Sequence, residues 1–449
     1  MNNIMEDNPI TQGNIVKALL KFFFPILLGS FFQQLYNTVD AIIVGRFVGK
    51  EALASVGGSS AVFVNLIVGF FAGITNGGGV IISQFYGAKD TRSLEKSISS
   101  SIFMCFLGGL IMSVLGIGFS RPMMVITKCP EAILASSTLY LTIFFCGLIP
   151  MFLYNMCSAI LRGIGNSKTP LFILIIGCFT NILLDLVFVV FFGMGVAGVA
   201  VATVFCQVES ALLSIIAIRK ETNSSRFRMR ELTVNVSMLM KILKIGVPAG
   251  LQSCLYTVSN LIIQSNINYF GTDYIAGWAI YGKIDVIFWM TTATFGIALT
   301  TFSGQNYGAK LYDRIKKGTW ITLGLNLAAT VVIFFAFKTF AVLIYRLFTN
   351  DGQVITRGVE MLNYLVPFYF IYISIEVLSG TVRGAGRSLA PTLITVFGIC
   401  FLRLLWLFLV VPKNQTLENV LFTYPLTWAV TSVAFWIYFL SNRWIKEAK

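Results

Sequence analysis

Histidine is absent from all 449 residues, and charge is scarce: 12% of positions are Asp, Glu, Lys or Arg, against roughly 25% in ordinary soluble domains. Without histidine, any proton this chain handles must be handled by carboxylates. There are no metal-ligand clusters and no nucleophile beside a base, so nothing supports a membrane enzyme. The eight Cys stand singly in apolar segments with no Cys-x-x-Cys or Cys/His spacing, which argues against a disulfide framework and a metal centre and leaves them as small core residues. The N-terminal stretch MNNIMEDNPITQGNIVKALLKFFFPILLG has no small-residue cleavage site after a short apolar core, so no signal peptide is expected.

What the chain has in excess is apolar surface. Hydrophobic residues make up 56% of it and Phe alone contributes 40. Runs such as 61–83 and 171–195 exceed the roughly 18–20 residues that a helix needs to cross a bilayer. An all-α polytopic membrane protein is expected, with about twelve transmembrane helices near 20–44, 52–80, 96–118, 132–156, 169–192, 196–218, 241–269, 276–301, 318–344, 358–380, 390–411 and 418–440. Placing the Lys and Arg on alternate sides of these spans sorts them roughly three to one, and the rich side reads as cytoplasmic. Both termini and the basic connection RKETNSSRFRMRELTVNVSMLMK belong to it. Topology thereby explains the net charge of +14, and no nucleic-acid partner is expected. The expected organisation is an N-terminal six-helix lobe over 1–218, a cytoplasmic linker over 219–240 and a C-terminal six-helix lobe over 241–449.

The halves are related. QFYGAK at 84–89 returns as QNYGAK at 305–310, and RGIGNSKTP at 162–170 returns as RGAGRSLAP at 383–391, both at an offset of 221 residues. LYNTVDAII at 35–43 and LYTVSNLII at 255–263 match at 220. Two motifs in one register indicate duplication, and an even number of spans per half makes the repeats parallel, an architecture typical of transporters.

Ionisable residues within spans cost roughly 2.5–3.5 kcal/mol each on insertion scales and are functional candidates by default. They are Asp40, Asp185, Glu209, Lys283, Asp285, Glu376 and Arg403. Counting inward from the outer hairpins, Asp40, Asp185 and Thr203 share one depth, roughly 9–12 Å below the outer surface at ~1.5 Å per residue. Gln33, Asn37 and Asp40 form one helical stripe, Asn181 and Asp185 are one turn apart, and so are Thr203 and Gln207. Three helices can thus turn oxygen ligands to one point, a set that suits Na⁺ and equally suits a proton shared by two carboxylates. Gln33, Asn37 and Gln207 are expected to line the adjoining cavity. Lys283 and Asp285, two residues apart, do not face each other; each either pairs across its lobe or lines the cavity. Glu376 lies near the cytoplasmic end of its span, and Arg403 is expected to pair with an acid of its own lobe.

VDAIIVGRFVG at 39–49, the duplicated Q-x-YGAK and RG-x-G, NILLD at 181–185 and the twelve duplicated spans together resemble the multidrug and toxic compound extrusion (MATE) family over nearly the whole chain. The resemblance implies a cation-coupled efflux antiporter with two six-helix lobes, rocking between outward-open and inward-open states. In one subset of that family the N-terminal lobe carries ion ligands that map onto Asp40, Asn181, Asp185 and Thr203, with Tyr140 on the fourth span beside them. The other pattern puts acids on helices seven and ten; here span seven has none, Asn260 stands where the repeat puts Asp40, and only Glu376 remains. The expected activity is export of amphipathic, often cationic, drugs or toxic metabolites in exchange for H⁺ or Na⁺, with no cofactor, by a monomer in the plasma membrane and in contact with its lipid. A flippase for lipid-linked oligosaccharides is the nearest alternative; it would call for extra spans and a more cationic cavity.

Overall fold

The computed structural model describes residues 8–221 and 234–446, and among them there are helices and no strands. Most of the expected linker, with Arg226, Arg228 and Arg230, lies outside the described residues. Twelve spans are long and apolar enough to cross a bilayer, one of them a bent pair. They are α1 (Ile15–Val48), α2 (Lys50–Gly87), α3 (Thr91–Ile126), α4 (Glu131–Cys146 with Leu148–Gly163), α5 (Lys168–Phe191), α6 (Gly195–Glu221), α7 (Val236–Phe270), α8 (Thr272–Gly308), α9 (Tyr312–Arg346), α10 (Gly352–Gly384), α11 (Leu389–Lys413) and α12 (Leu417–Leu440). Each coincides with one of the apolar runs read from the sequence, the run over 169–192 ending one residue past α5. Large side chains such as Phe24, Phe179, Phe335 and Ile437 are exposed, as expected of helices that face lipid rather than water.

The duplicated motifs are helix ends. After QFYGA, Lys89 takes φ +58°, its N–H bonds to the Tyr86 carbonyl and the Asp90 N–H reaches back to Phe85. After QNYGA, Lys310 takes φ +60° with the same pair of bonds, to Tyr307 and from Leu311 to Asn306. RGIG and RGAG close α4 and α10 in the same way around Gly165 and Gly386. All four are Schellman caps, which satisfy the last carbonyls of a helix and turn the chain at once. Sequence is repeated there because a turn of fixed geometry is repeated.

Helix four bends by 50° between its two segments. Pro150 sits in the first turn of the second segment, where its missing N–H costs nothing, but its ring opposes continuation from Cys146. Helix ten is interrupted at the corresponding register, where a 3₁₀ turn, Val366–Phe368, contains Pro367.

By packing, the described residues fall into two compact units, one built on Phe24–Gly250 and the other on Leu251 onward together with Gly13–Phe23. In the first, α2, α3 and α4 close over Leu141, Phe145 and Met156, with Phe71 stacked on Phe152 at 3.5 Å. The start of α7 joins this unit through glycines: a Cβ on Gly73 would lie 2.1 Å from the Gly250 nitrogen, and one on Gly77 2.7 Å from that of Gly246. In the second unit, Trp428, Tyr369 and Phe288 form the aromatic centre, Phe288 stacking on Tyr369 at 3.9 Å. The segment Gly13–Phe23 is anchored there by Phe23 on Phe295 at 4.0 Å and by Arg314 donating to the Gly13 carbonyl at 2.9 Å.

Candidate cation site and substrate pocket

Asp40, Asn181, Asp185 and Thr203 come together in the first unit, from α1, α5 and α6. Asn181 and Asp185 are fully buried, and the Asp185 carboxyl stands within hydrogen-bonding reach of Asp40. Both oxygens of Asp185, Oδ1 of Asp40 and both polar atoms of Asn181 are enclosed without a hydrogen-bond partner. Two ionised carboxyls facing each other repel, and the desolvation of their unpartnered oxygens is uncompensated. A single cation at that point relieves both effects.

Tyr36, one turn before Asp40, also reaches the Asp40 carboxyl. Its hydroxyl donates to Thr203 Oγ1 at 3.2 Å, while Thr203 donates its own proton to the Val199 carbonyl at 3.0 Å. One lone pair of Thr203 stays free for a ligand. Tyr140 packs beside Val39 and Val199 and lies within electrostatic reach of Asp40 and Asp185. Both carboxylates adjoin a π-helical turn: Val44–Val48 begins four residues after Asp40, and Leu186–Phe191 directly after Asp185. Such turns widen the helix and free a carbonyl, and they recur at functional sites. Tyr36 was not among the residues read from the sequence, although its spacing of four from Asp40 puts it on the same face.

One turn further along these helices, with α4 on its border, a pocket is lined by Phe32, Gln33, Tyr36, Tyr154, Gln207 and Ser210, among others. Gln33 and Gln207 therefore fall where the sequence reading puts them, and Gln207 Oε1 is buried without a donor. Asn37 is exposed and does not line this pocket.

The remaining candidates belong to the second unit. Asp285 is 6% exposed and accepts from Trp289 Nε1 and Tyr369 Oη, with Tyr281 and Tyr369 hydroxyls 3.1 Å apart behind it. It is a satisfied, packed acid rather than an open one. Lys283 is exposed. Glu376 is half-buried, with Tyr372 in hydrogen-bonding reach and Arg383 in electrostatic reach, and its carboxyl abuts Gly296. Glu209 is half-buried, with Oε2 enclosed and unpartnered.

Twelve helical spans in two sequence repeats, with carboxylates buried among them, are the architecture of a membrane transporter. The MatE family model matches the chain twice, over residues 25–187 and 248–409, so the chain belongs to the MATE family of membrane transporters. It is 28% identical over 396 residues to the probable multidrug resistance protein YoeA of Bacillus subtilis, covering 87% of this chain and 85% of that one. It is 22% identical over 389 residues to the multidrug export protein MepA of Staphylococcus aureus, covering 86% and 85%. A crystal structure of MATE in the bent conformation superposes with a TM-score of 0.89 at 19% identity, covering 96% of both chains; at that identity the likeness speaks for the fold.

Proposed function

We propose that this chain is a multidrug exporter that drives amphipathic, often cationic, small molecules out of the cell in exchange for H⁺ or Na⁺. The observation that carries the reading is the Asp40–Asp185 carboxyl pair, with both Asp185 oxygens enclosed and unpartnered, next to an amphipathic pocket in the same unit. The multidrug relatives support the choice of cargo.

Phe32, Tyr36, Tyr154 and Leu174 offer apolar and ring faces on which a flat organic cation is held. Gln33, Gln207 and Ser210 offer a few polar contacts, and the lining contains no Lys or Arg that would grip a pyrophosphate. An ion arriving from outside neutralises the carboxylate pair and favours the substrate-released state. A cationic drug loading from the cytoplasm, after that ion has left inward, completes the exchange. The basic bias of the loops supports an orientation with both termini in the cytoplasm, and a plasma-membrane site follows from the proposed export.

The test is dye efflux from vesicles with Na⁺ and pH gradients imposed separately, comparing the parent with Asp40→Asn and Asp185→Asn. Each substitution keeps the shape and removes the charge, so gradient-driven efflux is expected to fall at least about tenfold, in line with the loss of one essential ion ligand. Unchanged efflux and coupling in both variants would overturn the site.

A further inference from the structure

The repeat register carries the ion site across to the second unit, and a cation of the chain's own stands there. At the offsets of the duplicated motifs, Tyr36 corresponds to Tyr256, Asp40 to Asn260 and Thr203 to Tyr424. Arg403 falls inside the part of α11 that corresponds to Asn181–Asp185 of α5. These counterparts meet in the structure. Arg403 is 2% exposed and donates from Nη1 to Asn260 Oδ1 at 2.9 Å and to Ser259 Oγ at 3.4 Å. Its guanidinium lies 4.7 Å from the centre of the Tyr424 ring, and Tyr256 is within electrostatic reach. A π-helical turn, Val396–Phe401, ends two residues before it, as π turns adjoin the carboxylates of the first unit.

What surrounds this charge is neutral. Among the described residues no carboxylate lies within ion-pair distance of Arg403, and Arg403 Nε is buried without an acceptor. An arginine kept for structure alone is normally matched by an acid, because burying a lone charge is costly. An amide oxygen, a hydroxyl and a ring face are instead the groups that hold a monovalent organic cation. We propose that the second unit retains the cation site of the repeat, with Arg403 as its tethered occupant, and that cutting this side chain back opens a site for a free cation of the guanidinium class.

The experiment is thermal unfolding of the purified full-length protein in detergent, with low-millimolar guanidinium chloride against equal choline chloride. Arg403→Ala is expected to unfold at lower temperature than the parent, and guanidinium, not choline, to restore at least half of the loss, since a ligand that binds only the folded state stabilises it. The parent and Arg403→Met, whose site is filled, are expected not to respond specifically to guanidinium. The response is expected to persist when Asp40→Asn is added, which separates it from the first unit's site. Equal effects of the two salts on Arg403→Ala, or an equal guanidinium shift in the parent, would overturn the proposal. If Arg403→Ala cannot be purified alone, recovery of monodisperse protein in guanidinium and not in choline supports it, and equal recovery, or none in either, overturns it. No drug is transported in this assay, so it stands or falls separately from the export reading.

Discussion

Asp40 and Asp285 are both acids within spans, and their neighbours give them opposite work. Asp285 receives a Trp and a Tyr donor; Asp40 faces another carboxyl. Asp285→Ala would strand those two donors and is expected to cost about 2–4 kcal/mol of stability, seen as a lower unfolding temperature, while the ion affinity measured on surviving protein stays put. Thr203→Val removes the aliphatic hydroxyl of the proposed ion site and keeps its shape. It is expected to weaken Na⁺-driven efflux about tenfold or more and to leave proton-driven efflux unchanged, so it identifies the coupling ion. Asp40, Asn181, Asp185 and Thr203 were legible in the sequence because carboxylates inside apolar runs are rare and helical spacing fixes their depth. The division of labour between Asp285 and Asp40 was not, because the Tyr369 that satisfies Asp285 is 84 residues distant along the chain. Arg403 shows the same limit: its charge within a span was legible, but its amide and ring partners in place of an acid were not.

At the level of the helix, equivalent contacts in the two repeats are tight to different degrees. A Cβ on Gly384, closing α10, would lie 2.6 Å from the Thr300 carbonyl of α8, whereas one on its counterpart Gly163 would lie 3.1 Å from the Gly79 carbonyl of α2. Gly384→Ala is therefore expected to lose about 1–3 kcal/mol and Gly163→Ala less, a ranking that unfolding in detergent measures directly. The lysine caps carry strain of another kind, since a side chain at positive φ costs roughly 1–2 kcal/mol, more than the added freedom of a glycine in the unfolded chain. Lys310→Gly is expected to raise stability by about 0.5–1 kcal/mol. Asp90 caps α3 by accepting from the Ser93 N–H at 3.0 Å, and that bond holds its carboxyl below the usual range. Its contribution is complete above the carboxylate's unfolded pKa and is lost as pH falls through the depressed folded one. Run length made the spans legible, but it could not reveal the bend in α4: 132–156 reads as one apolar stretch, and the break depends on where Pro150 falls relative to a helical turn.

For the molecule as a whole, the division of the sequence and the division of packing are different quantities. Repetition divides the chain near its centre, and the family match restarts there, beginning at Pro25 in one half and Pro248 in the other. Packing changes partner a few residues from each of those prolines, after Phe23 and after Gly250. Each unit thus includes a helical segment encoded in the other half. Coexpression of residues 1–233 with 234–449 is expected to give drug efflux and a single monodisperse complex, and either piece alone neither. The glycine contact of Gly73 and Gly77 with Gly246 and Gly250 then has a consequence for biogenesis. A ribosome that has inserted the first six spans has not yet made what completes the first unit, and the early segment Gly13–Phe23 waits for helices made much later. Folding of either unit is therefore expected to finish only after α7 has emerged, leaving a six-span nascent chain dependent on the insertion machinery until then.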